Sequence, residues 1–363
     1  MRLFKVLMLL SVVAVALLGA TAAQPTSGPS KRLLRLAAPV TELAADGAQA
    51  ATFACGTGDY WFLAWNPVRR STVLVDRSGC TSGSSGISAL GVAGHRLAWV
   101  PYDAGNYTES QLVTATVRRP RSITRLTGTR VHNTDDGVGD DVGNIYGDGS
   151  LLVFNTWSVC EKSPYTDSCP PGAPDGYHIY NENLWRIVGR RKRLLVASPD
   201  ELTVLAVAAG RILVQRADDS LEIRRGSDGN LVRAFPPLRR GYQRAAVLDA
   251  SELVVLDRMS GHHWRVYDPV SGVQKRVLQA PAGAIPADVE RGLLVYTVGR
   301  TVHVLRLADG RQRTFRAPVP RPRYGSVEPV LAQIEPAGLF YSSRVRHEGH
   351  LRFVPFNSIR FRR

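Results

Sequence analysis

The C-terminal half of the chain repeats one hydrophobic pattern three times. Residues 211–235 (RILVQRADDSLEIRRGSDGNLVRAF), 253–278 (LVVLDRMSGHHWRVYDPVSGVQKRVL) and 293–315 (LLVYTVGRTVHVLRLADGRQRTF) share it. Each runs as an apolar strand, a short polar turn, an alternating strand, an Asp/Ser-Gly turn and a further strand. Apolar runs of this length with period-two alternation predict strands, and the Gly-centred breaks predict turns. The turn glycines Gly229, Gly272 and Gly310 fall 43 and 38 residues apart. A repeat of roughly 40–45 residues with about four strands per unit is the pattern of a β-propeller.

The same rhythm extends in both directions. Short turns recur at Ala45-Asp46-Gly47, Ala93-Gly94-His95, Gly147-Asp148-Gly149, Ala209-Gly210, Asp249-Ala250-Ser251, Glu290-Arg291-Gly292 and Pro336-Ala337-Gly338. Gly and Asp suit the positive φ of tight hairpins. Strand segments rich in Val, Leu and Ile flank these turns. The expected architecture is all-β: a seven-bladed β-propeller of four-stranded antiparallel blades, occupying residues 37–363. Six or eight blades also fit, because the first and last units are the least regular. Helical periodicity is essentially absent beyond residue 23, which argues against an α/β enzyme fold.

This strand–turn rhythm resembles that of secreted WD-repeat-type and TolB-like propellers. The resemblance covers nearly the whole chain after residue 36. The Trp-Asp and Gly-His signatures of true WD repeats are absent, so no site residue carries over. The resemblance implies a binding scaffold more often than an enzyme.

The N-terminus changes the setting. Arg2 and Lys5 precede an apolar run from Val6 to Leu18, and small residues at 20–23 follow. Residues 1–23 therefore read as a secretory signal, with an uncleaved anchor as the alternative and the sole expected route to a membrane. Residues 24–36 read as a linker. In a secreted or extracytoplasmic chain, the four cysteines Cys55, Cys80, Cys160 and Cys169 predict two disulfides. Three pairings are open, and proximity favours Cys160–Cys169 and Cys55–Cys80.

The formal charge is +15, carried by 46 basic residues of which only five are Lys. Scattered solvated arginines account for most of it; attraction to an anionic envelope polymer or an acidic protein surface is the functional alternative. The basic residues form short clusters, as at Arg190–Arg193 and Arg321–Arg323, rather than a stripe, so nucleic acid is not an expected partner.

Three segments break the rhythm: residues 102–110 (YDAGNYTES), 132–143 (HNTDDGVGDDVG) and 158–182 (SVCEKSPYTDSCPPGAPDGYHIYNE). In a propeller all three fall on the face that carries the second-to-third-strand loops and the connections between blades. Long loops of this kind are often functional. Tyr102, Tyr107, Tyr165, Tyr177 and His178 are the candidate contact residues, because Tyr joins a large apolar face to a hydrogen-bonding tip. Residues 158–182 read as a disulfide-pinned loop insertion. Asp135, Asp136, Asp140 and Asp141 are candidate calcium ligands, although their spacing does not match an EF-hand loop; otherwise no cofactor is expected. Asn106-Tyr107-Thr108 fits a glycosylation sequon. Trp61, Trp65, Trp99 and Trp157 lie inside strand patterns and are expected in the core.

No nucleophile elbow, zinc-protease motif or phosphate-binding Gly loop occurs. The reading is an exported, non-enzymatic scaffold that binds a protein or an anionic envelope polymer through the loop-rich face. The alternatives are a hydrolase or lyase acting on an extracellular substrate in the central funnel, and a purely structural envelope component.

Overall fold

A computed structural model describes residues 33–55, 58–80, 85–132, 138–163, 166–167, 169, 171, 175–236, 246–257, 262–318, 330–345 and 347–361. The signal-like segment 1–23 lies outside these residues. The chain enters with a short strand, β1 (Leu33–Leu36). Strands β2 (Val40–Asp46), β3 (Gln49–Cys55), β4 (Gly58–Asn66) and β5 (Ser71–Cys80) then form a four-stranded antiparallel sheet. Next come β6 (Ser85–Ala93), β7 (Arg96–Ala104), β8 (Tyr107–Thr116) and β9 (Arg119–His132). They are followed by β10 (Gly139–Asp148), β11 (Leu151–Ser163), the two-residue β12 (Thr166–Asp167), β13 (Gly176–Val188) and β14 (Arg191–Ala197). These nine strands make one sheet, because β10 joins β9 where Gly139 faces Val131.

Three further four-stranded sheets follow. The first holds β15 (Leu202–Ala208), β16 (Arg211–Arg216), β17 (Leu221–Arg225) and β18 (Leu231–Phe235). The second holds β19 (Ala246–Leu248), β20 (Leu253–Asp257), β21 (His263–Tyr267) and β22 (Gln274–Gln279). The third holds β23 (Ile285–Glu290), β24 (Leu293–Val298), β25 (Thr301–Arg306) and β26 (Gln312–Arg316). The last sheet combines β27 (Ala332–Glu335), β28 (Gly338–Val345) and β29 (Glu348–Pro355) with β1 from the other end of the chain.

The fold is an all-β propeller with four-stranded antiparallel blades. The expectation of seven separate blades is corrected: five discrete four-stranded blades are present, beside the nine-stranded sheet. The assignment of residues 33–36 to a linker is also corrected. Leu33–Leu36 pairs with β29 from Leu33↔Arg352 to Leu36↔Gly349 and closes the ring.

Burial grades outward within each sheet. β20 is buried along its whole length, β21 alternates, and β22 is almost entirely exposed. Apolar side chains therefore meet between neighbouring sheets in separate packets. At the closure, Trp65 of β4 stands edge-on to Phe340 and Phe353, with centroids 6.1 and 6.5 Å away, in a packet that includes Leu34 and Leu36. β1 is thus held by two buried leucines as well as by its ladder.

The first-to-second-strand hairpins are the tight turns expected. Ala209-Gly210 and Arg291-Gly292 both have positive φ at the two central positions, as a type I′ turn requires. At this end of the ring each junction between neighbouring units carries a hydrogen bond from a side chain to backbone. Asp46 accepts from the N–H groups of Gly94 and Gly149; Asp148 from Ala209; Asp249 from Arg291; Asp288 from Ile334; Glu335 from Gly47. Arg96 donates to the Ser150 carbonyl and Arg211 to that of Ala250. Gln333 adds a two-way bridge to the N–H and carbonyl of Ala45, at 2.8 and 3.0 Å.

The first strands pack side by side in a closed circle: β2 on β6, β6 on β10, β10 on β15, β15 on β19, β19 on β23, β23 on β27, and β27 on β2. They surround a central channel of about 310 Å³. Glu42 and Asp288 reach it, beside Tyr146 and Gln333. Burial raises Glu42 to about 7. Burial, joined by the nearby Asp249 carboxylate, raises Glu290 to about 7. Asp288 and Glu335 are likewise raised by burial, and the Asp288 charge adds to the effect on Glu335.

Two outcomes are expected. Asp46→Ala orphans the N–H groups of Gly94 and Gly149 and lowers stability by about 2–3 kcal/mol, read as the urea midpoint, whereas Asp46→Asn keeps an acceptor and costs less than half of that. Equal losses in the two variants would show that the carboxylate does not clamp the turns. Second, Glu42 and Glu290 have folded-state values above their unfolded ones. Their stabilisation is therefore full below about pH 4.5 and is lost as pH rises through about 7. The melting temperature should fall between pH 5.5 and 8. Glu42→Gln should raise stability at pH 8 by on the order of 3 kcal/mol and flatten the profile; a wild-type profile already flat across this range would place Glu42 in bulk solvent.

Candidate functional site

Where they are described, the segments that break the sequence rhythm are largely strand, which corrects the loop reading for those residues. Residues 102–110 form the tip of the β7–β8 hairpin, with Tyr102↔Ser110, Asp103↔Glu109 and Ala104↔Thr108 in register. Gly139–Gly143 opens β10. Residues 158–163 and 176–182 lengthen β11 and β13, pairing Ser158↔Tyr180, Val159↔Ile179 and Cys160↔His178. The Cys160–Cys169 disulfide ties the tip of this hairpin. Cys55 is also disulfide-bonded, and the side chain of Cys80, its expected partner, lies outside the described residues.

These long strands stand side by side in the nine-stranded sheet. Between β9 and the β11–β13–β14 group lies a cleft of about 480 Å³. Its character comes from Trp157, Trp185, Asn181, Asn183, Asp140 and Lys192. Each is aimed by local structure. A register shift between Thr156 and Ser158 sets Asn181 and Glu182 of β13 against Trp157 alone, so the bulge lies in β13, opposite the indole. The indole lies on Gly143, where a Cβ would come within 1.9 Å of Trp157 Cζ3 and 2.4 Å of Asn155 Oδ1. No side chain fits beneath that ring.

Trp185 is fixed from three sides. Its ring stacks on Phe154 with centroids 6.3 Å apart, its Nε1–H donates to Thr156 Oγ1 at 2.9 Å, and Lys192 Nζ sits 4.5 Å from its centroid. Lys192 also donates to Thr127 Oγ1 at 3.1 Å, which ties β14 to β9 across the cleft. Asn181 holds φ 51°, a left-handed conformation that Asn tolerates better than most residues. Asp140 accepts from the Ser158 hydroxyl at 2.7 Å. Behind the cleft, buried Glu182 accepts from the Leu202 N–H, and burial raises its carboxyl. The result is a rigid slot with two indole walls, two amides, one carboxylate and one ammonium.

The residues singled out in the sequence distribute around this slot. Asp140 lines it; Tyr102, Tyr107 and His178 do not. Tyr102 is half-buried and lies over Gly86. Tyr107 is exposed, with the Arg130 guanidinium 4.6 Å above its ring. His178 is half-buried opposite Cys160. Tyr165 lies outside the described residues, and Tyr177 is placed opposite Glu161 on β13 with its side chain undescribed. Of the calcium candidates, Asp135 and Asp136 lie outside the described residues. Asp140 and Asp141 are neighbours on one strand and point to opposite faces. Asp141 turns towards the Val142 N–H and the Ser110 hydroxyl, and burial raises it. Among the described residues no group of three acidic, His or Cys side chains is placed to hold a metal ion.

Trp65 and Trp99 are buried as expected, whereas Trp157 faces the cleft. Trp185 and Lys192 have no local signal in the sequence: an aromatic in a strand and a lysine in a basic run look like any others.

No family model matches the chain, and no curated protein matches its sequence. Solved structures match its shape. A chain of the Mitotic Checkpoint Complex is 11% identical with a TM-score of 0.51, covering 93% of this chain and 96% of that one. The WD40 β-propeller domain of Doa1 is 10% identical with a TM-score of 0.47, covering 90% and 96%. The computationally designed Ika8 protein is 12% identical with a TM-score of 0.47, covering 87% and 96%. At such identities the likeness to the checkpoint-complex chain establishes a propeller fold and nothing further.

Proposed function

We propose that the protein is an exported binding scaffold that recognises a segment of a partner protein in the cleft between β9 and the β11–β13–β14 group. In this reading the nine-stranded sheet counts as two blades fused at their edge, which makes a ring of seven. The circle of seven first strands supports that count.

The observation that carries the reading is the pair of preset indoles. Trp157 sits on a glycine with no room to withdraw, and Trp185 is locked by Phe154, Thr156 and Lys192. Preformed aromatic walls lose little entropy on binding and are the commonest energetic anchors of protein interfaces. Asn181, Asn183, Asp140 and Lys192 supply donors and acceptors of both signs, as the backbone and polar side chains of a peptide require. The adjoining hairpins add exposed Tyr107 and Ile179 to the same end of the sheet.

A second reading, a hydrolase or lyase working in the channel, is favoured by one observation: Glu42 lines the channel with a carboxyl raised to about 7.

Trp185→Ala removes one wall, and Gly143→Ala forces Trp157 off its seat. With wild-type protein as bait on the extracytoplasmic fraction of the native host, the expected result is a partner protein whose purified form binds at least tenfold more weakly to both variants. Both should retain cooperative melting. A partner that binds all three baits alike would remove the cleft from the interface. Turnover of an extracellular substrate abolished by Glu42→Gln but not by Trp185→Ala would favour the channel reading.

A further inference from the structure

The turns between third and fourth strands lie at the same end of the sheets as the carboxylate clamps, but on the outer rim. Their charge divides the ring. In the later sheets each such turn holds an aspartate that engages a neighbouring cation: Asp228 with Arg225, Asp268 with Lys275, and Asp309 with Arg306 and Arg311. Hydrogen bonds keep these carboxyls ionised, led by the backbone N–H groups of Asn230 and Ser271 and by the Arg306 guanidinium. The corresponding turns of the first sheet and of the two halves of the nine-stranded sheet carry arginine pairs instead: Arg69-Arg70, Arg118-Arg119 and Arg190-Arg191. All six are exposed, and none forms an ion pair with a carboxylate among the described residues.

Between the second and third of these turns lies a cleft of about 510 Å³ lined by Arg96, Arg118, Arg119 and Arg190, with hydroxyls from Thr116 and Ser122 and no acidic residue. Arg96 forms its floor, donating to the carbonyls of Ile187 and Ser150 at 3.2 and 3.0 Å. Its charge is opposed by burial and by the Arg186 guanidinium, without a carboxylate to offset either.

We infer that this arc of three arginine-tipped turns is a docking surface for a linear polyanion bearing tetrahedral oxyanion groups, phosphate or sulfate, with one such group seated in the Arg96 cleft. Guanidinium forks bind tetrahedral oxyanions in paired hydrogen bonds, and the neighbouring hydroxyls supply further donors. The repetition of one arginine pair on each of three consecutive units suits a ligand that is itself repetitive. The arginine cleft adjoins the indole cleft, with Ile187 and Arg190 lining the one and Trp185 and Lys192 the other, but the two share no lining residue, so separate variants test them apart.

The test uses labelled inorganic polyphosphate and a labelled sulfated polysaccharide, followed by fluorescence anisotropy across a salt series. The purified protein is compared with R118Q/R119Q/R190Q and with R225Q/R306Q/R311Q, which removes the same charge from the aspartate-bearing turns. The expected result is at least tenfold weaker binding for the first variant. Its log–log salt slope should be smaller by about two to three, one for each lost contact. The second variant and Trp185→Ala should bind as wild type does. Loss confined to one probe identifies the oxyanion. Equal weakening in the two triple variants, or none in the first, overturns the inference, because binding would then follow net charge alone or lie elsewhere. All three substituted arginines in the first variant are exposed, so an unchanged melting temperature verifies that the fold is intact.

Discussion

The constraint on which the structure depends is closure. A ring of sheets has a seam, and an unpaired strand edge at the seam is a site for aggregation and fraying. Here the seam is covered by Leu33–Leu36, which crosses from the start of the chain to become the outer strand of the last sheet. The ladder alone would hold a four-residue strand weakly. Leu34 and Leu36 enter the packet around Trp65, Phe340 and Phe353, so separating the seam exposes an aromatic core as well as four residues of ladder. On the inner side Gln333 and Glu335 reach across the same seam to Ala45 and Gly47.

The clamps at the other junctions follow one logic. At several junctions a tight hairpin leaves backbone N–H groups unpaired and a carboxylate from another unit accepts them; at one, Arg211 donates instead to the Ala250 carbonyl, and at another Asp288 accepts from Ile334 within its strand. This ties local turn chemistry to the long-range order of units, so each hairpin is fully satisfied only when its neighbour is in place. Asp46 shows the economy of the arrangement. The next unit has Ala93 in the place of Asp46, and Asp46 spans both Gly94 and Gly149. The accompanying cost is electrostatic. Several carboxylates share one end of the channel, and burial and mutual repulsion raise them, Glu290 even beside the Arg291 guanidinium.

What was legible in the sequence was local. The turns at Gly47, Gly94, Gly149 and Gly210 and the alternation in residues 253–315 depend on neighbours a few positions away, and each reports its own strand. What was not legible depended on distant partners. LLRL at residues 33–36 is too short to announce a strand, and its partner lies more than 300 residues away. The fusion of β9 with β10 rests on a single pair, Gly139 and Val131. The site was half legible. The broken rhythm marks segments that adjoin the candidate cleft, yet where described they are extended hairpins, which the Gly and Pro that interrupt the apolar pattern conceal. Trp157 reads as a core strand residue because nothing local marks the cleft it faces, which is assembled from β9, β13 and β14.

The charge of +15 takes on meaning only when distributed over the fold. An even scatter of arginine would give each outer turn a similar balance. Instead the turns divide by neutralisation: three consecutive units carry arginine pairs without acids, and the next three carry an aspartate that holds a cation. Aspartate at these turns is structurally useful, since Asp228, Asp268 and Asp309 each accept backbone N–H groups of their own turn. Two of the arginine-tipped turns are capped by neutral groups instead, Asn66 Oδ1 accepting from the Arg69 N–H and Thr116 Oγ1 from that of Arg119, so the local cap is kept without the negative charge. Such a turn places unbalanced positive charge next to a similar turn, and the mutual repulsion is a cost in the free protein. That repulsion is relieved by an anion that spans the turns, and the geometry of the ring, which repeats the turn at one rim, is what brings the three pairs within reach of a single chain.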